Sequence, residues 1–286
     1  MLNRQKTNID NLPKIYLVAT PIGNVLDITY RAVDILSKSD VIYCEDTRIT
    51  SRLLSHYNIK TKLKSYHLFN ENELTKDVIE DAKQGLVVSI VSDAGMPGIS
   101  DPGYKAVIDA IESEVNVEVI PGPSAGLTAL VASGIEPFKF TFIGFLNSGT
   151  SKKEKELELL KDNELPLIIY EAPHRIESTL KLIDKIMPNR HIVLARELTK
   201  QYEEFLRGTA KEILEVVDEI KGEMVLIISA QTKDEANTEL LNLSIKDHYK
   251  HYISLGHDSK EAMKMVAKDR GVPKSDIYQN IKGKNK

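Results

Sequence analysis

Short apolar, β-branched runs alternate along this chain with longer stretches whose apolar positions recur at helical spacing. Ile15–Ala19, Val41–Cys44, Leu86–Val91 and Val117–Ile120 read as strands, and Leu63–Tyr66 as a weaker one. Between them Thr29–Lys38, Ile49–Tyr57, Glu71–Gln84 and Tyr104–Ser113 read as helices. Strands alternating with helices of this length predict βαβ units and a parallel sheet. Pro121-Gly122-Pro123-Ser124 interrupts the pattern, and Ser124 stands as the N-cap of an Ala/Leu-rich helix reaching Ser133. Glu136-Pro137 breaks the chain again. A second pattern follows, with strands at Phe140–Phe145, Leu167–Tyr170, His191–Leu194 and Met224–Ser229 and helices at Ser151–Lys161, Arg175–Met187 and Thr209–Ile220. The polar, Gly/Ser/Lys-rich connection Asn147–Lys155 is expected to be mobile, and Gln231–Thr238 reads as a linker. Ser259–Ala267 and Lys274–Ile281 form a helix pair around the turn Arg270-Gly271-Val272-Pro273, the pattern of a helix-turn-helix. The expected fold is α/β: a parallel-sheet domain over 1–136, a second α/β domain over 137–232 and a helical module over 233–286.

Composition narrows the class. A chain of 286 residues with 42% hydrophobic and 28% charged residues suits a globular protein of two α/β domains plus an appendage. Its one cysteine, Cys44, excludes an internal disulfide framework and a cysteine-rich zinc site. No apolar run approaches the roughly 20 residues that span a bilayer. The segment Met1–Lys14 is polar and lacks the apolar core of a signal peptide, so a cytoplasmic protein is expected. The net charge is −4, unevenly spread. From Lys246 to Lys286 ten Lys and Arg stand against five Asp and Glu, a tail of +5 that leaves −9 for the remainder. A basic appendage on an acidic body suits a polyanionic partner through the second helix of the pair; a helical hairpin that merely solvates itself with lysines is the alternative.

Candidate chemistry gathers at the carboxyl ends of the expected strands. Val91-Ser92-Asp93-Ala94-Gly95-Met96-Pro97-Gly98-Ile99-Ser100-Asp101-Pro102-Gly103 packs three glycines and two prolines into one strand-to-helix loop. Glycine lets backbone approach a ligand, proline stiffens, and such loops at strand ends are where open α/β sheets bind ligands. Ala19-Thr20-Pro21-Ile22-Gly23-Asn24 is a second ligand-type loop, with one of the three glycines that a dinucleotide fingerprint requires. Neither a P-loop nor a metal-ligand spacing is present, and no metal is expected. Glu45-Asp46-Thr47-Arg48 follows the second strand, with Asp46 or Thr47 able to cap the next helix and Arg48 suited to a phosphate. Tyr170-Glu171-Ala172-Pro173-His174-Arg175 and Arg196-Glu197-Leu198-Thr199-Lys200 add charges at two strand ends of the second half.

Taken together, these motifs resemble the tetrapyrrole methylase superfamily of S-adenosylmethionine methyltransferases, and within it the branch that methylates small-subunit ribosomal RNA. The resemblance rests on Leu17–Asn24, Glu45–Arg48, Ser92–Pro97 through Asp101–Gly103, Pro121–Ala125, Glu171–Arg175 and Gly222–Val225, and extends to the terminal helices. Met96 stands where the branch usually has threonine, and Ser92-Asp93-Ala94 where porphyrin-type members carry Gly-Gly-Asp-Pro. The resemblance implies two α/β domains with S-adenosylmethionine in the cleft between them, a homodimer, and methylation of a cytidine ribose 2′-oxygen in the decoding region. Cofactor contacts implied by the motifs are Pro21, Gly23, Asp93, Ala94, Gly95, Met96, Ser124, Ala125, Glu171 and Leu198. A ribose hydroxyl needs a base to become a good nucleophile. Asp46, His174 and Glu197 are the candidates, in no order, while Arg48, Arg175, Lys200 and Lys274 would hold RNA phosphates. Two other readings stay open: methylation of a tetrapyrrole or other small molecule, and a non-catalytic nucleic-acid binder that senses the cofactor.

Overall fold

A computed structural model describes residues 5, 13–231 and 240–282. Most of the expected linker at Gln231–Thr238 lies outside the described residues. The first half forms strands β1 (Lys14–Val18), β2 (Val41–Cys44), β3 (Lys62–Ser65), β4 (Val88–Val91) and β5 (Asn116–Ile120). Between and after them run helices α1 (Tyr30–Lys38), α2 (Thr47–His56), α3 (Glu71–Lys83), α4 (Tyr104–Glu112) and α5 (Ala125–Ser133). All five strands are parallel, in the order β3-β2-β4-β1-β5. Every residue of β2 and β4 is buried, because helices cover both faces. Tyr43, Val88 and Ile90 pack on α3 and α4 through Val78, Ile79, Ala106 and Ala110. On the other face Ile42, Cys44 and Val91 pack on Ala32, Leu36 and Leu54 of α1 and α2. Thr29 caps α1 through its side chain, and Asp46, one of the two capping candidates, caps α2 by accepting from the Arg48 N–H.

The second half contributes β6 (Thr141–Phe145), α6 (Thr150–Leu160), β7 (Leu167–Glu171), α7 (Ile176–Ile186), β8 (Ile192–Arg196), β9 (Glu204–Gly208), α8 (Ala210–Leu214) and β10 (Met224–Ile228). Their sheet runs β6-β7-β10-β8-β9; only β6 and β7 pair in parallel, and the other three pairings are antiparallel. Strand β9 is absent from the hydrophobic pattern because its five residues include charged Glu204 and Arg207. The helix expected over Thr209–Ile220 stops at Leu214, and a 3₁₀ turn over Val217–Glu219 replaces its end. The adjacent β-branched pair Val216-Val217 disfavours continuation. Helix α6 begins inside the stretch expected to be mobile, drawn in by the buried Lys153.

Helix α5 belongs to the first 136 residues but packs on the second sheet. Its Ala129 and Leu130 lie against Ile168, Val193, Val225 and Ile227. Ser124 occupies the N-cap position of α5 without a capping hydrogen bond. The Tyr170 hydroxyl, at the end of β7, accepts from the Gly126 N–H at 3.2 Å instead. Besides the expected pair, here α10 (Ser259–Asp269) and α11 (Lys274–Lys282), the described residues of the tail include a further helix, α9 (Ile245–Ser254). They enclose their own small core of Tyr252, Ala262, Met263, Val266 and Ile277. His248 is buried there; its Nδ1 accepts from Arg270 Nε at 3.1 Å, so its Nε2 carries the proton toward Asp269 at 3.2 Å. Burial, then the Arg270 charge, lowers its pKa and keeps the ring neutral.

Candidate functional site

The parallel order of the first sheet brings the loops after all five of its strands to one edge. Thr20 and Gly95 exchange backbone hydrogen bonds of 2.9 and 3.0 Å, and Thr20 Oγ1 donates to the Ser92 carbonyl at 3.0 Å. The loops after β1 and β4 therefore form one rigid unit. Backbone packing there is tight enough to exclude side chains: a Cβ on Gly122 would lie 2.8 Å from that of Ala19. In the second sheet, β10 runs opposite to β7 and β8, with Met224 opposite both Glu171 and Arg196. The start of β10 thus sits between the ends of its neighbours.

A cavity of about 380 Å³ lies between these two edges, a volume within the range of small-ligand sites. Asp93, Ala94, Gly95 and Met96 line one side with Ser124 and Ala125. Glu171, Leu198, Met224 and Val225 line the other. Eight of the ten expected cofactor positions are thus on its wall. The remaining two, Pro21 and Gly23, stand behind it. Gly23 abuts the second sheet so closely that a Cβ would come within 2.6 Å of the Leu198 carbonyl, and the neighbouring Asn24 N–H donates to Thr199 Oγ1 at 2.9 Å. Three non-glycine residues at positive φ, Ser100, Glu197 and Thr199, adjoin the cavity-lining Asp101 and Leu198. Such conformations are costly and gather where a site dictates the backbone.

Below the cavity floor is a buried ionic cluster. Glu171, fully buried at its side chain, accepts from Thr179 Oγ1 at 2.5 Å and from the Ala172 N–H at 2.9 Å. Lys153 Nζ lies 3.6 Å from one of its oxygens, and Arg175 Nε lies 3.0 Å from the other without hydrogen-bond alignment. Burial lowers the Lys153 pKa. Arg175 also donates from Nη2 to the carbonyls of Leu146 and Asn147. This guanidinium braces the loop after β6, and a phosphate contact would have to replace those bonds.

The three base candidates do not converge. Asp46 binds Arg48 through both carboxylate oxygens, and this side-chain contact, aided by the Arg48 N–H, holds its pKa down to about 2. His174 is exposed and outside the cavity wall. Glu197 is paired with Lys200 at 3.0 Å, and Lys200 also reaches Glu223 at 3.1 Å. Lys274 donates to the Lys260 carbonyl at 3.1 Å, joining α11 to α10. The cavity holds a carboxyl that the sequence reading did not single out as a base, Asp101. Burial, followed by the nearby Glu45 and Asp93 carboxylates, pushes its pKa up to about 7. The signal was its place in the Gly/Pro loop beside Ser100; nothing in the sequence marks its burial. A general base poised near neutrality is the arrangement that proton abstraction requires.

The sequence matches the profile of the Tetrapyrrole (Corrin/Porphyrin) Methylases over residues 14–214. The chain belongs to the tetrapyrrole methylase family. It is 48% identical over 273 residues to the ribosomal RNA small subunit methyltransferase I of Halalkalibacterium halodurans, covering 94% of each chain. It is 45% identical over 285 residues to the protein of the same name from Bacillus subtilis, covering 97% of this chain and 98% of that one. Solved structures share the fold of this tetrapyrrole methylase at low identity. A diphthine synthase superposes with a TM-score of 0.61 at 15% identity, over 77% of this chain and 90% of that one. A cobalt precorrin-4 methyltransferase of cobalamin biosynthesis superposes with a TM-score of 0.57 at 16% identity, over 76% of this chain and 95% of that one.

Proposed function

We propose that this protein is an S-adenosylmethionine-dependent methyltransferase acting on small-subunit ribosomal RNA, at the 2′-oxygen of a cytidine ribose in the decoding region. The observation that carries the reading is the full-length similarity to two proteins named for that RNA, which continues past residue 214 through the basic tail. A small-molecule methylase of the same family has no need of such an appendage.

The cavity fits a nucleoside cofactor. Ile22, Ala125, Leu198 and Val225 offer apolar surface to a base, and the closely packed loop at Ala94-Gly95 offers backbone polar groups. Asp93 supplies a carboxylate on one side, while the Glu171 carboxylate is spent below the floor on Thr179, the Ala172 N–H, Lys153 and Arg175. S-adenosylmethionine bound there supplies an activated methyl group as electrophile. The protein's part is then to orient the acceptor and take its proton. Asp101 takes the proton from the attacking hydroxyl and returns it to solvent, a step worth roughly 10²–10⁴-fold. Asp46, held near 2, is too weak a base for this, and Glu197 is engaged by Lys200. Arg48 and the basic face of the tail hold RNA phosphates. The reaction belongs in the cytoplasm with the ribosome. A homodimer joins through the apolar surface of α5 and the segment leading into β6, where Val131 and Phe138 are exposed.

The test is incubation with labelled S-adenosylmethionine and small ribosomal subunits that lack the modification, followed by alkaline hydrolysis. Label in an alkali-resistant dinucleotide is expected, because a methylated 2′-oxygen cannot attack the adjacent phosphate. Cofactor binding without transfer to RNA would favour a small-molecule acceptor.

A further inference from the structure

A second cleft, of about 470 Å³, lies beside the cofactor cavity and shares Asp93 with it. It opens between the end of β2 and the turn from β3 into α3. Glu45, Asp46 and Asp93 supply carboxylates to its lining, Arg48 stands at its rim, and His67 and Phe69 come from the turn. The Asp46 N–H donates to Asp93 Oδ1 at 3.0 Å, fixing the two loops together.

Three observations single out this surface. Phe69 is 99% exposed, a cost in water that folding gives no return for. Its ring meets His67 edge-on at 6.0 Å between centroids. His67 Nδ1 is buried and has no hydrogen-bond partner among the described residues. Arg48 spends its Nε and Nη2 on Asp46, which leaves Nη1 toward solvent.

We propose that this cleft is the seat of the target base, extruded from its stack, laid on Phe69 and read at its exocyclic amino group by the acidic lining led by Glu45. This rests on the ribosomal RNA reading above and adds to it where the base goes and how it is chosen. Enzymes that modify one nucleotide commonly take it out of the stack and hold it between aromatic and polar groups. An aromatic ring stacks any base, so Phe69 supplies affinity without choice. Choice comes from the carboxylates. They accept from the amino group of cytosine, whereas uracil presents a carbonyl oxygen there and is repelled. Burial, then Asp93, raises the Glu45 pKa, which marks this carboxyl as partly withdrawn from water. The ribose of a base seated here falls toward Asp93 and the adjoining cavity, where Asp101 waits.

The experiment uses the full-length protein with small ribosomal subunits lacking the modification. Phe69→Ala, at an exposed position, leaves folding and cofactor affinity intact, raises KM for the subunit roughly 10-fold or more, and Phe69→Tyr restores it. Glu45→Gln narrows the preference for a target cytidine over a uridine placed at the same position. Wild-type transfer combined with an unchanged KM in Phe69→Ala overturns the base seat alone. Unchanged discrimination in Glu45→Gln overturns the amino-group readout. A wild-type protein that binds cofactor yet methylates no subunit overturns the ribosomal RNA reading and the base seat with it.

Discussion

The two sheets wall one cavity by different means. The parallel sheet contributes loops that are braced behind the cavity by close backbone packing: Thr20 bonded to Gly95, Gly122 pressed on Ala19, Gly23 pressed on Leu198. The mixed sheet contributes strand ends, and its wall is held from beneath by side chains, with Glu171 fixed between Lys153, Arg175 and Thr179. A backbone wall has no rotamers to adjust, so it tolerates no added atom. A side-chain wall depends on every charge being answered, so it tolerates no missing partner. The first kind suits recognition of a fixed cofactor, and the second keeps a polar surface rigid below an apolar one.

The largest effect is expected at the loop carboxyl that the backbone wall carries. Asp101→Asn should lower kcat by roughly 10²–10⁴-fold with cofactor affinity unchanged. Wild-type kcat should rise with pH through about 7 as this carboxyl ionises, and the variant's profile should lose that limb. The sign for stability is the reverse. Folding raises the Asp101 pKa from 3.8 to about 7, so the cost of its charge is absent well below pH 3.8, grows through that window and is complete above 7. Asp101→Asn should therefore melt higher than wild type above pH 7, with the difference shrinking toward zero as the pH falls below 3.8.

In the other wall, Lys153→Ala removes one of the two cations around the buried Glu171 carboxylate and leaves Arg175 as the other. A loss of about 3–5 kcal/mol is expected from urea unfolding. Gly122→Ala attacks the backbone wall by adding one methyl where Ala19 leaves 2.8 Å. It should cost about 1–3 kcal/mol of stability and weaken cofactor binding by calorimetry. If Gly122→Ala bound cofactor normally while Lys153→Ala lost it, the roles of the two walls would be interchanged. The smallest effect is expected at Glu177–Lys181 on α7, an exposed pair at 2.6 Å. Lys181→Ala should change stability by less than about 1 kcal/mol, the baseline against which the buried cluster is judged.

The elements of the first sheet were legible because strands covered on both faces read as near-continuous apolar runs, as Val41–Cys44 does and Val88–Val91 does with Ser89 as its one polar residue. Strand β9 escaped because an edge strand needs only alternate apolar residues, and five are too few to show it. The chain break at Glu136-Pro137 suggested a boundary there, whereas α5 is claimed by the second sheet through Ala129 and Leu130. In the site, the Gly/Pro loop announced itself, and so did its partners at the strand ends. The standing of each carboxylate did not: Asp46, in a motif, is tied to its own neighbour Arg48, while Asp101 is half-buried, with Glu45 and Asp93 nearby.

The sequence by itself determined the alternation of strands and helices, the loops at their ends and the basic tail. These follow from local rules, burial periodicity and the backbone limits of glycine and proline. Only the tertiary structure decided that β10 runs against its neighbours and so brings Met224 to the cavity, that Tyr170 serves α5 across the cleft, and which acid is partly withdrawn from water. Strand direction, remote hydrogen bonds and desolvation depend on residues far apart in the chain, and they exist only once the two sheets have packed.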